Sequence, residues 1–465
     1  MPRSTPECPQ RSRSYLEERL GEFHVYGDPS SALPPFRLSP RPVTLPPLLA
    51  GRLREIGEDL AAFQRAVAEL YRQSERDERL AVVSDYLDRG KGEALLLHGR
   101  LKRLRHDLPV LIRPDILVTR EGLKVTEMDS VPGGFGTLAA LQDVYSDIGY
   151  PPLGGSRGVL DAFYEAMASL TGRAEPTVAI AVSDESRDYR PEMEVLASLE
   201  RGLGRDVTVV HPRDLAFRDD GLLLPDGRRV DALYRFFELF DIRNVPKWEL
   251  FLYAAKRKTV VLTPPAKPHL EEKLQAALLF LPSLEDDFQK LLGPDRLLRL
   301  RGLFPRTWVV DGRPVPPQGE IAGLRLAGRP VRSFLDLKDI AQAERRKWVL
   351  KPSGFSPLAW GSHGVHIGED LSLADWNEAV DRAIEAWEKG DSPWILQSYF
   401  KPVVTDATAL SDEGEEPFPA RVRYSPYYFT AGESLKVAGL LATLCPRDKK
   451  IIHGMTDAVM APAAP

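Results

Sequence analysis

Three carboxylates and an arginine stand close together in this chain: Arg113-Pro-Asp115, then Glu127-Met-Asp129. Oxygen ligands of this kind suit a hard divalent cation, Mg²⁺ or Mn²⁺, better than zinc. The next segment, Ser130-Val-Pro-Gly133-Gly134-Phe-Gly136, is rich in glycine. Glycines let backbone N–H groups approach an anion, and a helix start favours negative charge. The loop holding Ser130, Gly133 and Gly134 is therefore a candidate anion site. Much later, Trp348-Val-Leu-Lys351-Pro-Ser-Gly354 presents a lysine, and Gly361 and Gly364 follow in a glycine- and serine-containing loop. A strand-borne lysine beside such a loop suits nucleotide phosphates. No G-K-[ST] phosphate loop occurs, so this loop would act as a cover. Gln397-Ser398-Tyr399 ends a strand-like run, and its backbone could pair with an adenine edge.

Those residues need elements to hold them. Pro109–Val118 and Leu123–Met128 read as strands, with Arg120-Glu121-Gly122 between them. A three-residue hairpin favours glycine at its last position. On that loop Thr119 faces Leu123, Leu117 faces Val125, Asp115 faces Glu127 and Arg113 faces Asp129. Side chains alternate along a strand, so the six residues of the last three pairs lie on one face. Like charges directly opposite each other destabilise a sheet. Arg113 compensates one carboxylate, and a bound cation would compensate the rest. The bland alternative is a solvated acidic face. Lys347, Val349 and Lys351 share a strand face, and there the bland alternative is a lysine snorkelling from an edge strand. Gly134-x-Gly136-x-x-Ala139 fits a relaxed dinucleotide fingerprint, but the strand before it ends in acids. No strand with a terminal acid follows where a ribose would need one.

The 465 residues, 43% hydrophobic and 28% charged, are enough for two or three packed domains. A net charge of −5 offers no basic excess for nucleic acid. Two cysteines, Cys8 and Cys445, argue against a disulfide framework and fit a reducing, cytoplasmic setting. The start of the chain has no signal-peptide pattern, and no apolar run reaches a bilayer-spanning length. Residues 1–45, rich in Pro, Ser and Arg, read as irregular. Leu53, Ile56, Leu60, Phe63, Ala66 and Leu70 recur at helical spacing within 46–86. Helices are also expected over 92–106, 139–148, 269–292 and 372–389. Near Pro176 a new unit begins, with strands at Thr177–Val182, Asp206–Val210, Val230–Phe237 and Val260–Leu262 and a helix over 191–204. That alternation predicts a small α/β domain with a parallel sheet. The plan is an irregular segment 1–45, a helical region with the carboxylate hairpin 46–170, an α/β substrate domain 171–262 and a nucleotide region 263–465 ending in a loop-rich tail. His363, His366 and His453 read as polar loop residues. The fold class is α+β with an α/β middle domain.

In order and spacing these motifs resemble a circularly permuted ATP-grasp ligase of the glutathionylspermidine synthase and eukaryotic glutathione synthetase kind, over roughly residues 105–465. Arg113-Pro-Asp115 and Glu127-Met-Asp129 match that family's R-x-D and E-x-N strands. The resemblance implies that Asp115, Glu127 and Asp129 bind Mg²⁺ (or Mn²⁺) and that Arg113 steadies the transferring phosphate. It implies a first ATP lysine on a helix after the middle domain, best matched by Lys273 with Lys267 as runner-up. It makes Lys351 the second, with Gly354, Gly361 and Gly364 in the cover loop and Gln397, Ser398 and Tyr399 as adenine hinge. The glycine loop after the hairpin resembles the family's substrate and phosphate loop, which implies Ser130, Gly133 and Gly134 as substrate positions; Tyr234-Arg-Phe-Phe-Glu238 resembles the end of its substrate domain, and His453–Asp457 its closing loop. Asp129 departs from the family's usual Asn. No glutathione-specific pattern and no amidase domain are present. The implied activity is ATP-dependent joining of a small-molecule carboxylate to an amine through an acyl phosphate, without nucleic acid or membrane and with homo-oligomerisation left open. A small-molecule kinase and a non-catalytic nucleotide-binding protein are the alternatives.

Overall fold

Leu16 and Leu20, one helical turn apart, are both fully buried on α1 (Pro9–Glu22). This corrects the expectation that residues 1–45 are irregular: one i,i+4 apolar pair suffices to dock a polar segment as a helix. The computed structural model describes residues 9–22, 36–218, 221–316, 318–359, 364–431, 434–449, 451–452, 454 and 458–465, without the side chains of 9–12. The periodic stripe read in 46–86 forms α2 (Leu53–Ser74), whose apolar face joins the largest core.

Two extended segments follow, β1 (Leu111–Thr119) and β2 (Gly122–Asp129), and then α3 (Phe135–Asp147). A helix not read from the sequence, α4 (Gly158–Thr171), comes next and packs on the main sheet. The middle unit holds β3 (Val178–Val182), α5 (Arg190–Gly202), β4 (Val207–Val210), β5 (Ala232–Phe236) and β6 (Val261–Thr263). Its sheet has the order β6-β5-β3-β4 with every pair parallel, as the sequence predicts. Near-continuous apolar strands such as Val178-Ala-Ile-Ala-Val182 are what a sheet covered on both faces requires.

The helical reading of 269–292 is only partly met. Gln275–Leu278 and Glu285–Leu292 are helical, Pro268–Glu271 is a 3₁₀ turn, and Lys273 lies in a turn, not on a helix. Four strands flank the next helix: β7 (Thr307–Val309), β8 (Trp348–Pro352) and β9 (His366–Ile367) precede α6 (Leu373–Glu388), and β10 (Trp394–Ser398) follows it. They form an antiparallel sheet of order β7-β10-β8-β9. α6 covers the face carrying Trp348, Leu350 and Leu396, so Lys351 belongs to the opposite face.

The expected loop-rich tail is instead strand: β11 (Val404–Ser411), β12 (Gly414–Ala431), β13 (Ser434–Pro446) and β14 (Val459–Ala464). β12 pairs with β1 and β13, β13 with β14, and β11 with β12. The end of the chain thus completes the sheet of the carboxylate hairpin. Among the described residues no helix is long and apolar enough to cross a membrane.

Candidate active site at the carboxylate hairpin

The hairpin turn is tighter than expected. Thr119 pairs with Gly122, whose φ of 99° is the left-handed conformation that favours glycine. The ladder therefore starts one residue out of the expected register, with Leu117 opposite Lys124 and Ile116 opposite Val125. The register then shifts between Ile116 and Asp115, leaving Thr126 as an extra residue on β2. That bulge restores the expected pairs Asp115–Glu127 and Arg113–Asp129. The expected Leu117–Val125 pair is overturned: Val125 enters the core beside Ile116, and Leu117 packs by Cys445 and Ile452. The Thr126 carbonyl accepts a hydrogen bond from Lys351 Nζ at 3.1 Å. A local break in one strand thus docks a lysine from the other sheet.

Each carboxylate has its own basic partner. Asp115 accepts from Ser425 Oγ at 2.8 Å and pairs with Arg423 at 3.2 Å and Arg113 at 3.6 Å. Asp129 pairs with Arg113 at 2.9 Å and accepts the Val131 N–H at 2.9 Å. Glu127 pairs with Lys273 at 3.3 Å. The expected cage of three carboxylates is not formed: among the described residues no three acidic, histidine or cysteine side chains converge to hold a metal ion. Four basic side chains compensate the acids instead, and Asp115 has both oxygens committed to protein donors. Glu127 and Asp129 remain on the wall of the cavity. Two carboxylates are what Mg²⁺ commonly takes from a protein when phosphates and waters complete its shell, so these two fit the ion.

The electrostatics follow from this arrangement. Burial alone would raise the Glu127 carboxyl, but Lys273, Lys351, Arg113 and Arg423 outweigh it and hold Glu127 well below its ordinary value. Burial lifts the Asp129 carboxyl; Arg113 opposes the rise and Glu127 adds to it. Burial pushes the Lys351 ammonium down to about 8, with Glu127 pulling the other way. Lys273 is also desolvated, yet Glu127, Glu238 and Asp129 raise it. Lys267, the runner-up, turns away and donates to the carbonyls of Asp107 at 2.8 Å and Arg105 at 3.3 Å. Lys273 is thus the lysine beside Glu127.

A cavity of about 280 Å³ opens on this group. Arg113, Arg423 and Lys273 line it together with Glu185, Tyr189, Phe236 and Glu238 from the middle domain. Ser130, Gly133 and Gly134 also line it. The Gly134 amide is not free for an external anion, however. The Glu192 carboxylate of α5 accepts the Gly134 N–H at 2.8 and 2.9 Å, and the Thr137 N–H and Oγ at 3.2 and 3.1 Å. The start of α3 is therefore capped from inside the protein. The glycines serve that approach, because a Cβ on Gly133 would meet the Tyr189 ring and one on Gly136 the Glu192 backbone.

The nucleotide-side expectations separate. Gly354 lines the cavity and lies flush against the Glu271–Glu272 backbone. Gly364 packs on Pro352 and Leu358, while Gly361 and the expected closing-loop residues 453 and 455–457 lie outside the described residues. Gln397, Ser398 and Tyr399 are not on the cavity wall. The Ser398 N–H bonds the Arg306 carbonyl at 2.9 Å, the Tyr399 N–H bonds the Lys347 carbonyl at 2.7 Å, and the Gln397 amide bonds Thr307 Oγ at 3.0 Å. Those N–H donors are spent within the sheet. Arg423 is the main residue the sequence reading missed. Its signal is the alternation Arg421-Val-Arg423-Tyr-Ser425, which marks one strand face but not which sheet that face meets.

No family model and no curated protein matches this sequence. Among solved structures, a glutathione synthetase-like effector from Globodera pallida in its apo form is similar over 99% of this chain and 98% of its own, with a TM-score of 0.55 at 13% identity. The two chains share a fold. A Methylobacillus flagellatus KT protein provisionally described as a gamma-glutamylcysteine synthetase covers 88% of this chain and 85% of its own, at 12% identity and a TM-score of 0.42. The likeness to the first supports a mixed α+β fold like that of a glutathione synthetase-like protein, and fixes no residue's role.

Proposed function

We propose that this protein is an ATP-dependent ligase that joins a carboxylic acid to an amine through an acyl phosphate, on a circularly permuted ATP-grasp arrangement. The observation that carries the reading is the convergence of Lys273, Arg113 and Arg423 with Glu127 and Asp129 on the wall of one cavity, with Lys351 acting on Glu127 from beside that wall. Four cations around two cavity-facing carboxylates make a site for a polyphosphate and an ion. Mg²⁺, held by Glu127 and Asp129, would supply neutralisation of phosphate charge. Lys273 and Lys351 orient the phosphates of ATP. Arg113 and Arg423 face the oxygens that gain charge as a substrate carboxylate attacks the γ-phosphorus. An amine then displaces phosphate from the acyl carbon, giving an amide. The protein's share is positioning and charge stabilisation, which dominate phosphoryl transfer. A chain with two cysteines fits a reducing, cytoplasmic setting, and the substrates of this reading are small molecules.

The decisive assay follows ADP release against panels of acids and amines. ADP formation that requires both an acid and an amine supports the ligase. ADP formation with a hydroxyl compound alone would make the protein a kinase.

Lys351 also gives the site a pH signature. Its ammonium titrates near 8 in the free protein, and adjacent phosphate would favour the charged form. Below about 8 the lysine is already charged, and affinity for Mg·ADP should be flat. Above it, binding must take up a proton, so affinity should fall towards tenfold per pH unit. Calorimetry across pH 6.5 to 9.5 reads this, and Lys351→Met should remove the slope.

A further inference from the structure

Lys273 and Lys351 come from different parts of the chain, one in the turn before Gln275–Leu278 and the other on β8. Their spacing must be set by whatever joins those two segments. Lys273 Nζ donates to the Ala359 carbonyl beyond β8, and one buried hydroxyl ties the backbone beside Lys273 to the end of that strand. Ser353 Oγ donates to the Glu272 carboxylate and accepts the Leu274 N–H at 2.9 Å. It therefore grips the residues on either side of Lys273, and it lies two residues beyond Lys351. Ser353 is fully buried. The other Glu272 oxygen pairs with Lys91, and both side chains of that pair are 0% exposed. Lys91 in turn stands 5.3 Å from the Phe355 ring centre.

A fully buried ion pair gains little stability over an apolar pair of the same size, so geometry is the better reason for it. Here it holds a carboxylate in place to receive the Ser353 hydroxyl. Gly354 completes the joint, since any side chain there would collide with the Glu271 carbonyl. None of these three polar side chains lines the cavity, and none would touch a nucleotide.

We propose that Ser353 is a positioning residue: held by the buried Glu272–Lys91 pair, its hydroxyl sets the spacing of Lys273 and Lys351 around Glu127. This rests on the reading of the site as a nucleotide site. With the joint intact, both lysines meet one polyphosphate. With it loosened, each lysine keeps its own neighbours but the pair loses register.

The test uses the full chain with Mg·ATP and Mg·ADP as probes, titrated calorimetrically, and records the melting temperature of each variant. Ser353→Ala and Glu272→Gln are compared with Phe288→Leu, a core change outside the site. Ser353→Ala is expected to weaken Mg·ATP at least tenfold and Glu272→Gln further, while Phe288→Leu stays within twofold of wild type. Ser353→Ala alone decides the matter if Glu272→Gln does not fold. The proposal is overturned if Ser353→Ala binds within twofold of wild type. It is equally overturned if Phe288→Leu, at a similar loss of melting temperature, weakens binding as much. A wild-type protein that binds neither probe overturns the nucleotide reading itself, and this proposal with it.

Discussion

Glu127→Gln is expected to lower ATP turnover by on the order of a hundred- to a thousandfold with little change in melting temperature. The substitution is isosteric, so β2 and its pairing survive. What changes is the charge balance. Glu127 is the first of the charges that sustain the Lys351 ammonium, and Lys273 opposes it. Without that carboxylate Lys351 titrates lower still and loses charge at neutral pH. Lys273 loses its 3.3 Å partner as well. On the proposed reading, one neutralised oxygen would thus remove a metal ligand and disarm a phosphate-binding lysine. Lys351→Ala should reach a similar loss by the direct route. Steady-state ADP release measures the effect, and circular dichroism melting checks the fold. Full turnover in either variant would remove the assignment of this site.

The largest stability effect is expected at Arg235. Its guanidinium is 1% exposed and donates to the carbonyls of Phe237 at 2.6 Å, Pro264 at 2.8 Å and Pro265 at 3.2 Å. It also pairs with Glu271, whose other oxygen accepts the Leu239 N–H at 2.9 Å. Arg235→Leu would leave a buried carboxylate and three buried carbonyls without that donor. Removing one partner of a buried pair costs roughly 3–5 kcal/mol. The urea midpoint should fall accordingly at unchanged slope. Arg235→Leu combined with Glu271→Leu should lose less than the single change, because no uncompensated charge remains. A double variant less stable than Arg235→Leu would show that the charge pair is not the cause. Since Glu271 lies just before Lys273, this pair anchors the floor on which the site is built.

The parts legible in the sequence were those with local signals. Val178-Ala-Ile-Ala-Val182 could hardly be anything but a buried strand, and the parallel sheet followed from its neighbours. The pairing of Asp115 with Glu127 was reached by a count from the wrong turn: the three-residue loop assumed at Gly122 and the extra Thr126 offset each other. A bulge has no signature in a stretch such as Lys124-Val-Thr-Glu127, because threonine suits a regular strand equally well. Arg423 and Glu192 reach the hairpin only through tertiary packing, and neither has a neighbour in sequence that names its partner. The adenine hinge failed for a related reason. Whether the N–H groups of Ser398 and Tyr399 are available depends on Arg306 and Lys347, which β10 meets only in the folded sheet. Pro9–Glu22 was hidden by its polar composition, since two leucines carry its docking.

The Thr126 bulge divides β2 into two halves that obey opposite phases. Before it, Val125 points with Ile116 into the hydrophobic interior; after it, Glu127 points with Asp115 towards the candidate site. A ladder of strict alternation would place residues 125 and 127 on the same side, so one strand could not feed both surfaces from adjacent odd positions. Deleting Thr126 would not merely shorten the strand. It would exchange the tenants of the two surfaces, carrying the charge of Glu127 inward or the bulk of Val125 outward. The same single-residue slip exposes the carbonyl on which Lys351 rests, so the half-turn of the chain that separates interior from chemistry also marks where the second sheet attaches.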